Sequence, residues 1–500
     1  MFVKAPKTSH HLEVERKFDV VESTVSPSFE GIAAVAHVEK SPIESLDATY
    51  FDTPTQDLAG NKITLRRRTG GHDAGWHLKL PAGPEARTEV RAPLDASDRD
   101  TVPSELRDIV LAIVRERPLE PVARISTERE TQVLYGADGA ALAEFSNDHV
   151  TAWAAGDSDV HPAEQEWREW ELELAESNGA ADTELLSRLS NRLVDAGAAP
   201  AGHASKLARV LGTTAQPAGT QQPADPVHRA VAEQVAELLV WDRAVRADAD
   251  DAVHQMRVTI RKIRSLLADA QDAFESSDSA WLLDELRELG NVLGAARDAE
   301  VLADRYQQAL DKLPPELVRG RIRERLVEGA RRRYQTGLRR SLNAMRSERY
   351  FRLLDALDAW VAEIPAIVSG EEQAPVTIDA AYKKVRKAAK AAAQVESGAE
   401  HDRDLALHRI RKRAKRLRYT AAATGATKVS EQAKVIQTLL GDHQDSVVSR
   451  EHLSHQADAA HTAGEDTFTY GLLYQQEADL AERCRQQLDD ALRKLAKAVR

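Results

Sequence analysis

Charged residues recur at every second position along two short segments, in a pattern that could bind a metal ion. They are Glu13, Glu15 and Lys17 in HLEVERKF, and Glu169, Glu171 and Glu173 in EWELEL. Side chains two residues apart point to the same side of a β-strand, so each set would share one face. Five carboxylates brought together would repel one another unless a divalent cation neutralised them, and an oxygen-rich site suits Mg²⁺ or Mn²⁺.

Neighbouring segments carry the opposite charge. The basic residues that we assign to this group are Arg66, Arg68, Lys79, Arg87, Arg91, Arg124 and Arg129. Fixed cations in this number suit a ligand with four or five negative charges, and Arg can bind phosphate oxygens with a forked pair of hydrogen bonds. Acids for a metal together with bases for phosphates predict a phosphoryl-transfer site that works by positioning and electrostatics.

The elements that would position these residues change along the chain. Up to about residue 155, short runs with period-two patterning are separated by Gly, Pro, Asp and Ser, which predicts β-strands, and EWELEL adds another. A helical stretch near 182–211 precedes a Pro-, Gly- and Gln-rich segment at 212–226, which we interpret as a linker. Beyond residue 227, long Ala-, Leu-, Arg- and Glu-rich segments follow the 3.6-residue period of helices.

The helical region contains an internal repeat. HQMRVTIRKIRS at 254–265 aligns with HRIRKRAKRLRY at 408–419, and LGAARD at 293–298 aligns with LGDHQD at 440–445. On a helix, each copy of the first motif forms a basic stripe, which comprises His254, Arg257, Arg261 and Arg264 in one copy and His408, Arg411, Lys415 and Arg418 in the other. Apolar residues occupy the opposite side of both helices. We expect each stripe to form a surface ridge whose self-repulsion a bound anion would relieve.

The N-terminal motifs resemble the CYTH family of triphosphate tunnel enzymes over residues 10–211. They are, in order, HLEVERKF, YFDTP, LRRR, WHLKLP, RTEVR, SNDHV with Asp148, EWELEL, and HASKLARVL with Lys206. The resemblance implies an eight-stranded antiparallel tunnel barrel in which Glu13, Glu15, Glu169 and Glu171 hold the metal. It also implies that the tunnel Arg and Lys residues bind phosphates. Lys206, on a helix that plugs one end, would place the attacking water or the terminal phosphate, and we assign Lys17 with it as a catalytic candidate.

Residues 227–500 resemble the CHAD family, whose helical domains carry repeats rich in His, Arg and Lys. The resemblance implies two pseudo-symmetric helical bundles and affinity for inorganic polyphosphate. The order CYTH then CHAD resembles a bacterial fusion that is usually interpreted as an inorganic triphosphatase.

We therefore predict a multidomain α+β protein with an eight-stranded β-tunnel barrel and C-terminal all-α bundles. The expected divisions are a tunnel domain at 10–211, a linker at 212–226 and a helical domain at 227–500 with halves at about 227–365 and 379–500. Residues 1–211 should fold alone. Arg67 interrupts the tunnel strand where the family has an apolar residue, so we expect it to point outward.

The remaining features exclude other classes of site and location. Cys484 is the only cysteine, which excludes an intramolecular disulfide and a Cys-rich zinc site. We interpret His72 and His77 as neutral surface residues, and no phosphate-binding loop of the usual nucleotide type is found. No segment matches a signal peptide or a membrane span, so we expect no membrane partner and a cytoplasmic location, and association with polyphosphate granules remains open.

Several functions remain as alternatives. The first is metal-dependent hydrolysis of inorganic triphosphate or short polyphosphate, with long polyphosphate bound by the helical half. The others are a tunnel enzyme for ATP or thiamine triphosphate, and a polyphosphate adaptor without catalysis. Nucleic-acid binding by the helical half is a less favoured hypothesis, because the formal net charge of the chain is −12. Whether Glu89, Asp148 or Glu173 also contacts the metal is left open.

Overall fold

The computed structural model describes residues 9–83, 85–94, 101–155, 164–175, 183–212, 226–270, 278–362, 377–395 and 400–499. The proposed linker, apart from residues 212 and 226, lies outside the described residues, as does most of the junction expected between the two helical halves. Within the described part of the chain there are ten strands, which are β1 Ser9–Val20, β2 His37–Lys40, β3 Glu44–Asp52, β4 Thr64–Thr69, β5 Gly75–Pro81, β6 Ala86–Ala92, β7 Glu120–Tyr135, β8 Ala141–Ala154, β9 Gln165–Leu174 and β10 Ala199–Pro200.

Eight of these strands close into an antiparallel barrel. Their order around the ring is β1–β6–β5–β4–β3–β7–β8–β9, and β9 pairs again with β1. The short strands β2 and β10 pair with β7 and β1, respectively. The first and last strands of the ring are thus neighbours, with Lys17 opposite Glu171 and Glu15 opposite Glu173. The prediction of an eight-stranded antiparallel barrel is confirmed.

Many of the large apolar residues of the strands pack outside the barrel wall. Trp76, Leu78 and Val90, on β5 and β6, join a buried cluster with Leu106 and Ile113 of the helices beyond. On another side, Phe18, Trp170 and Leu172 pack against leucines of the helix Thr183–Asp195. Because side chains alternate along a strand, burying one face in this way directs the charged face into the lumen.

Fourteen α-helices are described, five in the first half of the chain and nine after residue 225. The first five are α1 Asp57–Gly60, α2 Ser104–Ile109, α3 Leu111–Val114, α4 Thr183–Asp195 and α5 Lys206–Val210. The other nine are α6 Pro226–Arg246, α7 Ala252–Ala270, α8 Asp278–Asp311, α9 Gly329–Ala344, α10 Glu348–Ala362, α11 Ile378–Ala392, α12 Glu400–Ala423, α13 Thr427–Thr462 and α14 Phe468–Val499. The all-helical C-terminal region is confirmed. None of the described helices combines the length and apolarity needed to cross a bilayer.

The compact units of the chain do not follow the divisions expected from sequence. One unit comprises residues 1–270, 277–286 and 342–364, and the other comprises residues 271–276, 287–341 and 365–500. The barrel therefore shares its unit with α6, α7 and α10. Within it, Arg115 of the turn after α3 is buried and pairs with Asp355 and Asp358 of α10. Asp108 of α2 pairs with Arg246 of α6 at 3.2 Å.

These ion pairs change what we expect of a fragment ending at residue 211. Such a fragment would lack α6 and α10, and with them the carboxylate partners of Arg115 and the cation partner of Asp108. It would also lose Leu239 of α6, which packs on the apolar cluster that contains residues of α2 and α3. We therefore expect residues 1–211 to be less stable alone than within the whole chain. The pseudo-symmetry of the two helical halves stays a prediction.

Candidate active site

The lumen of the barrel contains a cavity of about 570 Å³ with charged walls. Most of the charged residues predicted for the site line it, namely Glu13, Glu15, Lys17, Arg66, Arg68, Lys79, Arg87, Arg91, Arg129, Glu171 and Lys206. The lining also includes Glu89 and Glu173, which the sequence left open as metal contacts, and Tyr50, Asp73 and Glu144, which it did not single out. Strand alternation alone therefore located much of the lining.

Lys206 lies among three carboxylates where α5 meets the barrel. Its Nζ is 2.8 Å from a carboxylate oxygen of each of Asp148, Glu169 and Glu171. Burial opposes the charge on Lys206, but Asp148 and Glu169 outweigh it and raise its pKa. Ser205 caps the N-terminus of α5 by accepting a hydrogen bond from the backbone of Ala208 at 3.1 Å. The lysine is therefore fixed as an ammonium group at this end of the cavity.

Lys17 joins the acids of β1 to those of β9. Its Nζ donates to Glu15 at 2.8 Å and to Glu171. Burial opposes ionisation of Glu15, but Lys17 and Lys79 outweigh it and lower the pKa of Glu15 to about 2. Glu171 also accepts a hydrogen bond from Arg129 at 2.6 Å, and its pKa is lowered well below the ordinary value because Lys17 and Lys206 outweigh the effect of burial. Both carboxylates are thus anionic at neutral pH.

A second row of acids crosses three adjacent strands of the wall. Glu173 of β9 lies opposite Glu15 of β1 on one side and Glu144 of β8 on the other. Burial and the nearby Glu13 raise the pKa of Glu173 to about 8. Burial likewise raises the pKa of Glu13, although Lys79, which donates to it at 2.5 Å, acts in the opposite direction. Like charges directly across strands are destabilising, and among the described residues only Glu15 of this row has a cation in an ion pair with it.

Three arginines line the cavity opposite or beside these acids. Arg66 donates to the Tyr50 hydroxyl at 3.2 Å, and Arg68 pairs with Asp73 in the β4–β5 turn. Arg129 forms a forked pair with Asp148 at 2.8 and 2.6 Å. Burial, together with Arg66 and Arg129, lowers the pKa of Arg68 to about 9. Such crowding of cations favours the binding of an anion.

Glu89 organises the basic side chains of β5 and β6. The carboxylate is 1% exposed and pairs with Arg91, and its Oε1 lies 3.9 Å from Nζ of Lys79. Arg87, two residues earlier on β6, lies 3.8 Å from Glu15 and donates to the carbonyl oxygen of Ala204 at 2.7 Å. Arg87 thereby connects the wall to the segment that leads into α5.

The structure corrects the assignment of Arg124. Its side chain is 64% exposed, pairs with Asp47 at 2.6 Å and lies over the ring of Trp153. Arg129, Thr131 and Val133 of the same strand line the cavity, and Arg124 is an odd number of residues from each, so it points to the outer face. The spacing of basic residues in the sequence could not reveal which face of β7 Arg124 occupies, because both faces of this strand carry charged residues.

The predictions for four further residues have different outcomes. Glu169 is buried, and it accepts a hydrogen bond from Trp167 at 2.6 Å while contacting Lys206, so it lies behind the cavity lining rather than in it. Arg67 does not line the cavity, as expected. His72 is 82% exposed, which confirms its surface position. His77 is not a surface residue, since it is 1% exposed between Glu89 and the β4–β5 turn.

The acids offer places for a metal ion. Asp148, Glu169 and Glu171 could hold one, because one oxygen from each lies within 4.8 Å of the others. The Lys206 ammonium already pairs with all three carboxylates of this triad. In the row formed by Glu15, Glu144 and Glu173, Glu15 pairs with Lys17, whereas no ion pair among the described residues involves Glu144 or Glu173. An all-oxygen donor set of this kind fits a hard divalent cation.

The basic stripes of the helices are less exposed than the sequence predicts. In both α7 and α12 the apolar face is buried as expected, through Met256, Ile260, Ile263 and Leu267 in α7 and Ile410, Ala414, Leu417 and Ala421 in α12. The stripe residues are half-buried except for Arg261, which is exposed. In α12, Arg418 donates to Gln437 of α13 at 3.2 Å, and Arg411 packs over Gly441 of α13, where a Cβ would lie 3.2 Å from its guanidinium.

The more exposed cations of α12 lie on its other side. They are Arg409, Lys412, Arg413 and Arg416, which follow the i, i+3, i+4, i+7 spacing of one helix face. The expectation that the stripe of α12 forms an open ridge is therefore wrong, because α13 packs beside it. In α12 the stripe residues therefore lie along the side of the helix that packs against α13.

Comparison with known proteins agrees with both halves of this description. A family model described as the CYTH domain matches residues 11–195, and one described as the CHAD domain matches residues 229–454. A protein of Mycobacterium tuberculosis strain CDC 1551 / Oshkosh is 74% identical over 510 residues, covering 100% of this chain and 99% of that protein. A protein of strain ATCC 25618 / H37Rv has the same identity and coverage, and both are described as uncharacterized. The chain belongs to the CYTH–CHAD family.

Several solved structures show a partial similarity to the chain. The CHAD domain from the plant Ricinus communis is 24% identical and covers 56% of this chain and 95% of its own, with a TM-score of 0.41. PptA from Streptomyces chartreusis is 18% identical and covers 54% and 99%, respectively, with a TM-score of 0.41. For the CYTH domain, the Hippeastrum protein HpAC1, described as having a dominant triphosphatase activity, is 15% identical and covers 41% and 97%, with a TM-score of 0.25.

Proposed function

We propose that the CYTH domain hydrolyses inorganic triphosphate or short polyphosphate in a metal-dependent reaction. The observation that carries the proposal is that carboxylates of β1 and β9 face arginines of β4 and β7 across one cavity of about 570 Å³. A linear triphosphate carries four to five negative charges, so it would take over the cations that now pair with acids. The acids thereby freed would hold a divalent metal ion, which would supply positive charge to the reacting phosphates.

Glu13, Glu15, Glu171 and Glu173 are the residues that we propose as metal ligands. They lie on adjacent strands, with Glu15 directly opposite Glu173, and their present cation partners Lys17 and Lys79 also line the cavity. The ion would supply charge neutralisation and activation of a bound water. Glu169 and Asp148 have a different role in this proposal, which is to hold the Lys206 ammonium.

Lys206 and Lys17 are the catalytic candidates among the cations. Lys206 is held by three carboxylates at one end of the cavity, where it could orient a water or a terminal phosphate oxygen. Lys17 lies between the acids of β1 and β9, so it can reach a phosphate that approaches the metal. The phosphate-binding group comprises these two lysines with Arg66, Arg68, Lys79, Arg87, Arg91 and Arg129.

One observation favours a second candidate substrate class. Leu46, Val133 and Leu174 line the same cavity, and an apolar wall of this kind could accommodate an organic group attached to a triphosphate. Thiamine triphosphate and ATP are therefore the alternatives to test. A polyphosphate adaptor without catalysis is less favoured, because a binder has no need of four carboxylates in its phosphate tunnel.

For the CHAD domain we propose binding of long inorganic polyphosphate through the basic helices α7 and α12. The support is the cationic residues of α12, where Arg409, Arg411, Lys412 and Arg413 occur within five positions. A polyanion would relieve the repulsion among them. We propose that each of the two helices binds the polymer independently of the other.

The test is to offer the purified full-length protein tripolyphosphate, ATP, thiamine triphosphate and long polyphosphate, each with Mg²⁺ or Mn²⁺. Phosphate release from tripolyphosphate should exceed release from the organic triphosphates and should cease in EDTA. Faster hydrolysis of ATP or thiamine triphosphate would indicate that the substrate is an organic triphosphate instead. Absence of turnover with tight binding of polyphosphate would favour the adaptor.

A further inference from the structure

His77 contacts two different parts of the tunnel, which are Glu89 on β6 and the turn between β4 and β5. It lies on β5, two residues before Lys79 and therefore on the same face of the strand. Its Nδ1 is 2.8 Å from Oε1 of Glu89, and its Nε2 is 2.9 Å from the carbonyl oxygen of Asp73. The ring is 1% exposed and lies behind the cavity lining, so it is not placed to touch the substrate.

Glu89 is the first of these two partners. Its carboxylate is almost completely buried, and it pairs with Arg91 and lies within 3.9 Å of Nζ of Lys79. Both cations belong to the proposed phosphate-binding group. A buried carboxylate that rotated would change the direction of both, so a hydrogen bond that fixes Glu89 also fixes the geometry of phosphate binding.

The β4–β5 turn is the second partner. Asp73 in this turn pairs with Arg68, another of the proposed phosphate ligands. The turn also packs closely on β3, because a Cβ on Gly70 would lie 2.1 Å from the carbonyl oxygen of Ser45. His77 thus stands between the carboxylate partner of Arg91 and the segment that carries the carboxylate partner of Arg68.

The two ring nitrogens compete for one proton. Both face acceptors, whereas a neutral imidazole has a single N–H. Burial lowers the pKa of His77 to about 4, with Arg66 and Arg68 acting in the same direction and Glu89 in the opposite one, so the ring is neutral at pH 7. A carboxylate accepts a stronger hydrogen bond than a backbone carbonyl, which favours the proton on Nδ1.

We infer that His77 is a positioning residue whose Nδ1–H donates to Glu89 and thereby holds Lys79 and Arg91 in place for phosphate. The inference rests on the proposed function, since it concerns the binding of the same substrate. It assigns His77 no contact with the reacting atoms. The expected consequence of losing the donor is weaker binding of tripolyphosphate with little change in the chemical step.

Three variants of the full-length protein distinguish the roles of the two ring nitrogens of His77. His77→Asn keeps a donor near the Nδ1 position, His77→Gln places its amide near Nε2, and His77→Phe keeps a ring with no donor. We expect His77→Phe and His77→Gln to raise KM for tripolyphosphate by about 10- to 100-fold with kcat changed less than about threefold. His77→Asn should stay within about threefold of the wild-type KM.

A spectroscopic measurement decides the tautomer without any variant. Long-range ¹H–¹⁵N correlation on ¹⁵N-histidine-labelled protein should show His77 as the Nδ1–H form at pH 7. An Nε2–H tautomer, a wild-type KM in His77→Phe, or rescue by Gln rather than Asn would each overturn the inference. If His77→Phe does not fold, the Asn and Gln comparison and the tautomer decide.

The proposed function and the inference fail in different ways. Wild-type protein that does not hydrolyse tripolyphosphate would contradict the proposed function. Wild-type turnover combined with an unchanged KM in His77→Phe would contradict only the role of His77. Arg66→Ala in the same assay provides the reference for a lost direct phosphate contact.

Discussion

The tunnel and the basic helices place their charges by different means. In the tunnel, tertiary structure brings together residues distant in sequence: strand pairing places Lys17 beside Glu171, and α5 brings Lys206 to Asp148. In α12, cations accumulate through local periodicity, and Arg409, Lys412, Arg413 and Arg416 share one exposed face. Most acids that line the tunnel cavity are therefore paired with cations before any ligand binds, whereas no ion pair among the described residues involves these four cations of α12.

This difference implies two kinds of recognition. A ligand in the tunnel must exchange one set of ion pairs for another in a fixed geometry, which favours a short chain of defined length. A ligand on the helices gains mainly from charge density, which tolerates variable length and depends strongly on salt. The predictions below test whether the two regions differ in this way.

Removing one tunnel acid should have the largest effect. Glu15→Gln or Glu171→Gln should lower the rate of tripolyphosphate hydrolysis by on the order of 10²-fold or more, because each removes a proposed metal ligand and one of the two carboxylate partners of Lys17. Steady-state phosphate release at saturating Mg²⁺ measures the effect. Glu166→Gln, at an exposed position of β9, is the matched control.

Long-polyphosphate binding should be unaffected in the same variants, since both acids lie in the tunnel. Full hydrolysis in EDTA, or wild-type rates in both variants, would refute the metal site and make the tunnel a binder like the helices.

The arginines of β4 and β7 should show the next largest effect. Arg66→Ala and Arg129→Ala should each raise KM for tripolyphosphate by about 10- to 100-fold, because each removes a buried cation from the phosphate site. Arg67→Ala and Arg124→Ala should stay within about twofold of wild type, since neither lines the cavity. A KM for Arg124→Ala as high as that for Arg129→Ala would contradict the strand register observed for β7.

The contrast between Arg124 and Arg129 shows how far sequence alone could predict the site. Period-two patterning located the acids of β1 and β9 because each of those strands carries an unbroken run of three charged residues at every second position. It failed on β7, where charged residues occur at both odd and even positions and only the register of β3 and β8 against it settles which face is inside.

The roles of His77 and Glu173 required tertiary information for a similar reason. His77 gives no signal in the sequence beyond its two-residue spacing from Lys79, and its burial comes from Glu89 on a different strand and from the β4–β5 turn. Glu173 follows the spacing of EWELEL, but its raised pKa depends on Glu13, which lies 160 residues earlier in the chain.

On the helices, charge reversal should weaken polyphosphate binding without affecting the tunnel. Changing Arg257, Arg261, Arg411 and Lys415 together to Glu should reduce affinity for long polyphosphate by at least about tenfold in moderate salt. Fluorescence anisotropy across a salt series measures it, and tripolyphosphate turnover should persist.

The matched set is Arg409, Lys412, Arg413 and Arg416, which removes the same charge from the exposed face of α12. If this set abolished binding and the first did not, the repeat stripe would serve packing against α13 rather than polyphosphate.

The smallest expected effect is a pH dependence of stability that originates in Glu173. Burial and Glu13 raise its pKa from 4.5 to about 8 in the folded, metal-free protein. The unfolded chain therefore loses its proton at lower pH than the folded protein does, so this group's contribution to stability is full below about pH 4.5 and is lost as pH rises to about 8. Glu173→Gln should raise the melting temperature more at pH 8 than at pH 5, and Mg²⁺ should do the same for wild type by favouring the carboxylate. Differential scanning calorimetry in EDTA and in Mg²⁺ at both pH values provides the measurement, with Glu166→Gln as the exposed control on the same strand. Equal shifts at the two pH values would show that Glu173 is neutralised by another route, and the row of acids would then resemble the paired charges elsewhere in the tunnel.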